Sequence, residues 1–284
     1  MKNSNFHKPA LLQEALNLLE VKPGARYIDC TLGGGGHTTE ILNQKGIVLA
    51  IDQDIDAISY CQSQEALKPA LASKELVLVH ANFSQLSSVI KDHHWAPVMG
   101  ILFDLGISSH QIDTPSRGFS LSADGPLDMR MDSSSTLTAS HMLNTLPAEL
   151  IGQILQDLGE IPVAKQLALK IVAARPLTTT MQLSNLLGKW SRQAFQAVRI
   201  AVNDELGVVI TLLTDIPDLL AANGTVVAIS FHSLEDRIVK DQFRLWEQQK
   251  IGTVLTKKPL IPGPQELSEN PRVHSAKLRA FRKI

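Results

Sequence analysis

The sequence predicts an α/β protein: a doubly wound sheet of largely parallel strands, interrupted by a helical insertion. Three observations carry this. Short apolar runs recur with helix-forming stretches between them, the pattern of buried strands joined by crossover helices. Acidic or glycine-rich segments stand where the first strands end. One interval between successive strands is far longer than a single crossover needs.

In chain order, strands are expected at 26–30, 47–51, 76–80 and 99–103, the second running into Asp52 and the fourth into Asp104. Helices fit between them at 38–43, 56–67 and 83–91. The fifth strand is 225–231. Strand starts at 26, 47, 76 and 99 are 21, 29 and 23 residues apart, whereas 99 to 225 is 126. A crossover takes about 30 residues, so on the order of 100 are inserted. The insert reads as helical. Leu146, Leu150, Ile154, Leu155 and Leu158 recur at helix spacing, and so do Phe195, Val198, Val202, Leu206, Val209 and Leu213. The polar stretch 106–132 reads as a long ordered loop, a kind often functional. The division expected is 1–112 and 216–284 as one domain, with 113–215 as an inserted helical domain.

Composition narrows the classes. The chain has 284 residues, 44% hydrophobic and 19% charged, which excludes global disorder, collagen and a coiled-coil rod. No apolar run approaches the roughly 18 residues of a membrane helix, and the N-terminus has no signal-peptide layout. Cys30 and Cys61 cannot build a disulfide framework or a multi-cysteine zinc site, so a reducing cytoplasm is the simplest compartment. No histidine pair stands at ligand spacing, and no metal is expected. The net charge of −1 does not advertise a nucleic-acid binder. The C-terminus differs: Arg272, His274, Lys277, Arg279, Arg282 and Lys283 stand together without an acid. They read as a solvated basic tail or as a phosphate-contacting segment.

The chemistry-bearing motifs sit at strand ends. Asp29-Cys30-Thr31-Leu32-Gly33-Gly34-Gly35-Gly36-His37 follows the first strand and opens a helix, where glycines admit a ligand to the backbone. Asp52, ending the second strand, is placed to hold ribose hydroxyls. Together they read as a nucleoside-cofactor pocket. A dinucleotide fingerprint anchored at Gly33 and Gly35 needs Gly or Ala at 38, which is Thr38. S-adenosylmethionine lacks a pyrophosphate and needs no such glycine, and the acidic start suits a cationic ligand. The glycines alone also allow a plain tight turn. Phe83 is placed either to stack on adenine or to start a helix in the core. Asp104 is either a helix cap or a site residue beside the transferable group. No Pro-Cys pair is present. Methylation of a cytosine ring carbon needs a thiolate, whereas methylation of an exocyclic amine needs alignment and a hydrogen-bond acceptor. Two further stretches, Arg117-Gly118-Phe119-Ser120 with Gly125-Pro126-Leu127-Asp128-Met129-Arg130-Met131-Asp132, and Ser230-Phe231-His232-Ser233-Leu234-Glu235-Asp236-Arg237, mix charges, hydroxyls and an aromatic. Each is a functional loop or a loop held by internal ion pairs. His232 is a base or a structural histidine.

Taken with His7-Lys8-Pro9-Ala10-Leu11-Leu12, Phe103-Asp104-Leu105-Gly106-Ile107-Ser108-Ser109, Phe195-Gln196-Ala197-Val198-Arg199-Ile200, Val202-Asn203-Asp204-Glu205-Leu206 and Ser275-Ala276-Lys277-Leu278-Arg279, these stretches resemble the bacterial ribosomal RNA small-subunit methyltransferase H family, also called MraW. The resemblance runs nearly the whole chain in order. It implies a Rossmann-like class I methyltransferase with an inserted helical substrate-recognition domain. It implies methyl transfer from S-adenosylmethionine to the N4 amine of a cytidine in 16S rRNA, at the decoding centre of the small ribosomal subunit. Family cofactor positions fall on Gly35, Gly36, His37, Asp52, Phe83, Asp104 and Gln111, joined by Gly33 from the loop. Asp104 is expected nearest the methyl-transfer centre. Arg117, Phe119, Arg130, Arg199, Asn203, His232, Ser233, Arg272, Lys277 and Arg279 are the expected RNA contacts. The sequence leaves a homo-oligomer open.

The chain departs from the family in places. Trp190-Ser191-Arg192-Gln193-Ala194 stands where His-Pro-Ala-Thr-Arg is usual, and the segment before it is shorter. Ile161 replaces a Glu and His110 a Pro. Two other readings stay open: an amine methyltransferase of DNA, and a non-catalytic ribosome-assembly relative. The DNA enzymes usually carry Asp/Asn-Pro-Pro-aromatic where this chain has Asp104-Leu105-Gly106-Ile107. An NAD-dependent oxidoreductase is opposed by Thr38.

Overall fold

The computed structural model describes residues 8–284; His7 of the first matching motif lies outside them. The chain forms two compact units, Met1–Gly106 with Gly207–Ile284, and Ile107–Leu206.

The first unit alternates as the sequence suggests: α1 (Leu12–Leu19), β1 (Arg26–Asp29), α2 (Gly36–Asn43), β2 (Ile47–Asp52), α3 (Ile55–Ser63), α4 (Lys68–Ser73), β3 (Leu76–His80), α5 (Leu86–Asp92) and β4 (Val98–Asp104). The second unit carries α6 (Ser109–Asp113), α7 (Ala139–Thr145), α8 (Ala148–Asp157), α9 (Ala164–Ala173), α10 (Thr180–Leu187) and α11 (Ser191–Asn203). Then α12 (Glu205–Leu219) leads to β5 (Leu220–Ser230), α13 (Ser233–Gln248), β6 (Gly252–Val254), α14 (Pro264–Glu269) and β7 (Lys277–Lys283).

The sheet order is β3-β2-β1-β4-β5-β7-β6. The first five strands are parallel, and β7 runs antiparallel between β5 and β6. Strand residues alternate between two buried faces, which is why the runs are continuously apolar. Ile28, Leu49, Ile51, Ile101, Phe103, Val226 and Ala228 pack under α5, α12 and α13. Tyr27, Val48, Ala50, Leu102, Val227 and Ile229 pack under α1, α2 and α3. Chain order reverses between β1 and β4, so their carboxyl ends form the topological switch point where ligands of such sheets bind.

The second unit is helical, with a core from α7 to α11 and from the loop residues Phe119, Leu127, Met129 and Met131. Its limits differ from the 113–215 read from sequence. Val209, Leu212, Leu213 and Ile216 of α12 belong to the sheet's core, so the first unit resumes at Gly207. The apolar periodicity through 195–213 is also not one helix. Asp204 takes a left-handed conformation, φ 48°, and ends α11. Within α8, Leu150 points outward, 43% exposed. The stretch 106–132 holds a short helix, α6, which Ser108 and Gln111 start as a reciprocal cap.

The structure decides against one of the two readings of the C-terminal segment. It is no solvated tail, because residues 277–283 form β7, an interior strand. Phe281, 1% exposed, meets Phe243 and Trp246 of α13 in tilted and edge-to-face contacts at centroid distances of 5.7 and 5.2 Å. The alternating basic residues hide the strand's period of two in the sequence. Phe281→Ala should cost about 3–5 kcal/mol in urea unfolding; a loss below about 1 kcal/mol would contradict the burial of β7.

Candidate active site

The acids at the carboxyl edge are held by the loop that follows β1. Asp29 ends that strand wholly buried. Its carboxylate accepts from the Thr38 hydroxyl at 2.7 Å and the Thr31 backbone N–H at 3.1 Å. Burial pushes its carboxyl above the ordinary range. The loop then binds both neighbouring strands. The Thr31 hydroxyl accepts the Asp104 N–H at 2.6 Å, and the Leu32 N–H donates to the Ile51 carbonyl at 3.0 Å. The Gly33 N–H donates to Asp52 Oδ2 at 2.7 Å. Gly33 and Gly35 have φ of 51° and 76°, left-handed values that favour glycine.

Asp52 ends β2 and also accepts the Asp54 N–H at 2.8 Å. Burial raises its pKa to about 6. A carboxylate has roughly four lone-pair sites; two are taken by backbone N–H groups, and the others are open to hydroxyl donors. Phe83 follows β3 at the start of a short turn of helix, which Asn82 caps by accepting the Ser84 N–H at 2.9 Å. Thus Asp29, the 33–36 loop, Asp52 and Asp104 are brought together along one edge, with Phe83 at the end of the adjoining strand.

Two loop residues also make contacts within the protein. The His37 ring donates Nε2–H to the Ala10 carbonyl at 3.1 Å and is 4% exposed. Gly36 is packed: a Cβ there would stand 2.6 Å from Pro9 Cγ. Gln111 lies in the second unit, its Oε1 accepting the Ser108 N–H at 3.0 Å.

The expected RNA contacts differ in how far they are buried. Arg130 grips Asp128 through two bonds of 2.7 Å. Arg117 donates to the Arg130 and Met131 carbonyls, and Phe119 sits in the helical core. Arg199 pairs with Glu205 at 2.8 and 2.9 Å, and Asn203 bridges the Met129, Met131 and Arg199 backbones. His232 caps α13 with Glu235. Arg279 is 7% exposed, and its guanidinium is engaged by Asp236 at 2.6 and 3.1 Å. Ser233 and Arg272 are exposed, and Lys277 is half-buried with its ammonium 3.7 Å from Asp236. Sequence reasoning missed Thr31 and Thr38 as holders of the acids. The signal for Thr38 was present: it fills the position where a third glycine was sought, and a hydroxyl there reaches Asp29.

The switch point, the glycine loop and the acids ending β1, β2 and β4 define a Rossmann-like α/β unit whose carboxyl edge suits a nucleoside cofactor. Comparison with known proteins specifies the family. A model of the MraW methylase family matches residues 4–284. Three proteins named Ribosomal RNA small subunit methyltransferase H align over nearly all of both chains. That of Halothermothrix orenii is 38% identical over 312 residues, covering 98% of this chain and 98% of its own. That of Mycoplasma mycoides is 40% identical over 308 residues, covering 98% and 99%. That of Acidobacterium capsulatum is 42% identical over 294 residues, covering 98% and 98%. The chain belongs to the MraW methylase family. It is a methyltransferase, and S-adenosylmethionine is its cofactor. The site fits: Asp52 has acceptor capacity for two ribose hydroxyls, and the loop beside it is glycine backbone.

Hydroxyl donors stabilise the ionised form of Asp52, so binding at a carboxyl with pKa about 6 expels a proton at lower pH. Cofactor affinity should be level above pH about 7 and fall about tenfold by pH 5, measured by calorimetry. Asp52→Asn should bind more weakly and without that dependence. A native profile flat from pH 7 to 5 would contradict the assignment.

Proposed function

We propose that this protein methylates the N4 amine of a cytidine in 16S rRNA, at the decoding centre of the small ribosomal subunit. The observation that carries the amine chemistry is the pairing of a carboxylate at the switch point with the lack of an ionisable thiol nearby. Cys30 is wholly buried, and burial pushes its thiol well above its ordinary value. Burial, then the carboxylates of Asp29 and Asp52, push the Cys61 thiol up to about 12. Neither supplies the thiolate that attack on a ring carbon requires. The relatives' shared name supports ribosomal RNA as the substrate.

When bound, S-adenosylmethionine supplies a methyl group made electrophilic by its sulfonium. In this reading Asp52 accepts the ribose hydroxyls, Phe83 flanks the adenine, and the 33–36 loop leaves room for the methionine portion. Asp104 accepts a hydrogen of the target amine, which directs the nitrogen lone pair and offsets the positive charge that grows there. The proton then passes to solvent. The cytidine leaves its stack to reach this edge. The exposed Ser233 and Arg272 and the half-buried Lys277 serve as RNA contacts. The second unit contributes substrate recognition, with the 117–132 loop as a rigid support because its arginines are internally bonded.

The test is methyl transfer to unmethylated small ribosomal subunits. Asp104→Ala should lower kcat at saturating cofactor about 100-fold or more. The double variant Cys30→Ala, Cys61→Ala should keep kcat within about threefold, since no covalent intermediate is formed. Loss of transfer in a folded double variant would overturn the amine mechanism.

A further inference from the structure

Residues 8–12 lie along the glycine loop and are tied at successive positions, all within the first unit. The Lys8 ammonium meets Glu269 at 2.6 Å, and the Lys8 carbonyl accepts from the Asn270 amide at 3.3 Å. The Pro9 ring covers Gly36 so closely that a Cβ would stand 2.6 Å from Cγ. The Ala10 carbonyl accepts from the His37 ring at 3.1 Å. The Leu11 N–H donates to Glu266 Oε1 at 2.8 Å. Leu11 holds φ 49° and ψ 39° with its side chain wholly buried. A left-handed leucine is held only where its surroundings over-determine it, and such outliers cluster at ligand clamps. Here the surroundings are the Glu266 carboxylate and the core beneath.

These contacts join α14 to the first turn of α2, the end of the loop that receives the cofactor. We propose that residues 8–12 are a strap that holds the 33–36 loop in its binding conformation, with Glu266 as the positioning residue that latches it. Glu266 touches no reacting atom. It fixes Leu11, which sets the course of Pro9 and Ala10 over Gly36 and His37. This rests on the reading that the cofactor occupies the loop beside Asp52. A latch of this kind acts on cofactor affinity and leaves the chemical step intact. It also predicts reciprocity: the bound cofactor tightens the strap, because a coupling between two sites works in both directions.

The test compares Glu266→Ala and Glu266→Gln with Asp52→Ala. In Glu266→Ala the Leu11 N–H loses its acceptor, and the dissociation constant and KM for S-adenosylmethionine should rise about tenfold. The kcat at saturating cofactor should stay within about twofold. Glu266→Gln keeps an acceptor oxygen and should restore affinity. In the native protein, S-adenosylmethionine should slow hydrogen exchange at Leu11, and this slowing should be lost in Glu266→Ala. Native affinity in a folded Glu266→Ala, or equal damage in Glu266→Gln, overturns the latch. If Asp52→Ala also binds normally, the pocket reading fails with it; if Asp52→Ala loses binding while Glu266→Ala does not, only the latch fails.

Discussion

The adjacency of β1 and β4 at the switch point is the constraint on which the rest of this site depends. Because Asp29 pairs in register with Leu102, the loop leaving β1 passes directly beside the end of β4. One hydroxyl, that of Thr31, therefore reaches the backbone of Asp104 at 2.6 Å. Two residues later the same loop donates to Asp52 on the other side. The ends of three strands are thus tied to one another by a single short segment. The glycines have a different part, since they let the loop make these bonds and remain free of side chains.

Buried acids carry a cost that the arrangement partly offsets. Asp29 and Asp52 are both pushed upward by burial, so their ionised forms are disfavoured where they stand. Asp29 is compensated internally by Thr38 and Thr31. Asp52 receives two backbone donors and has capacity for two more, the complement of a ribose diol. A site of this kind is pre-organised but electrostatically incomplete, which favours a ligand bearing donors over one bearing phosphates.

Much of the first unit was legible because its strands are buried on both faces and read as unbroken apolar runs. Strand ends, acids and glycine loop followed from the same pattern. The second half was harder to read. Lys277, Arg279, Arg282 and Lys283 alternate with the buried Leu278, Ala280 and Phe281 in β7, and charge drew attention away from the period. The break at Asp204 depends on one left-handed residue inside a continuous apolar periodicity. Among the candidate RNA residues, Arg130, Arg199 and Arg279 are bonded to acids of their own unit. Sequence spacing does not separate an arginine bonded to its neighbours from one that faces a phosphate. His37 and Gly36 show the same limit, because their partners Ala10 and Pro9 lie some 27 residues earlier.

In the function proposed above, the carboxylate edge serves an uncharged amine acceptor, and neither buried cysteine supplies a thiolate for a covalent route. The claim at the centre of this account is the identity of the methylated atom. Unmethylated small ribosomal subunits, incubated with this protein and labelled S-adenosylmethionine, should yield label in N4-methylcytidine after digestion to nucleosides and mass spectrometry. Label in a ring-carbon methylated cytidine, or in any other nucleoside, would contradict it.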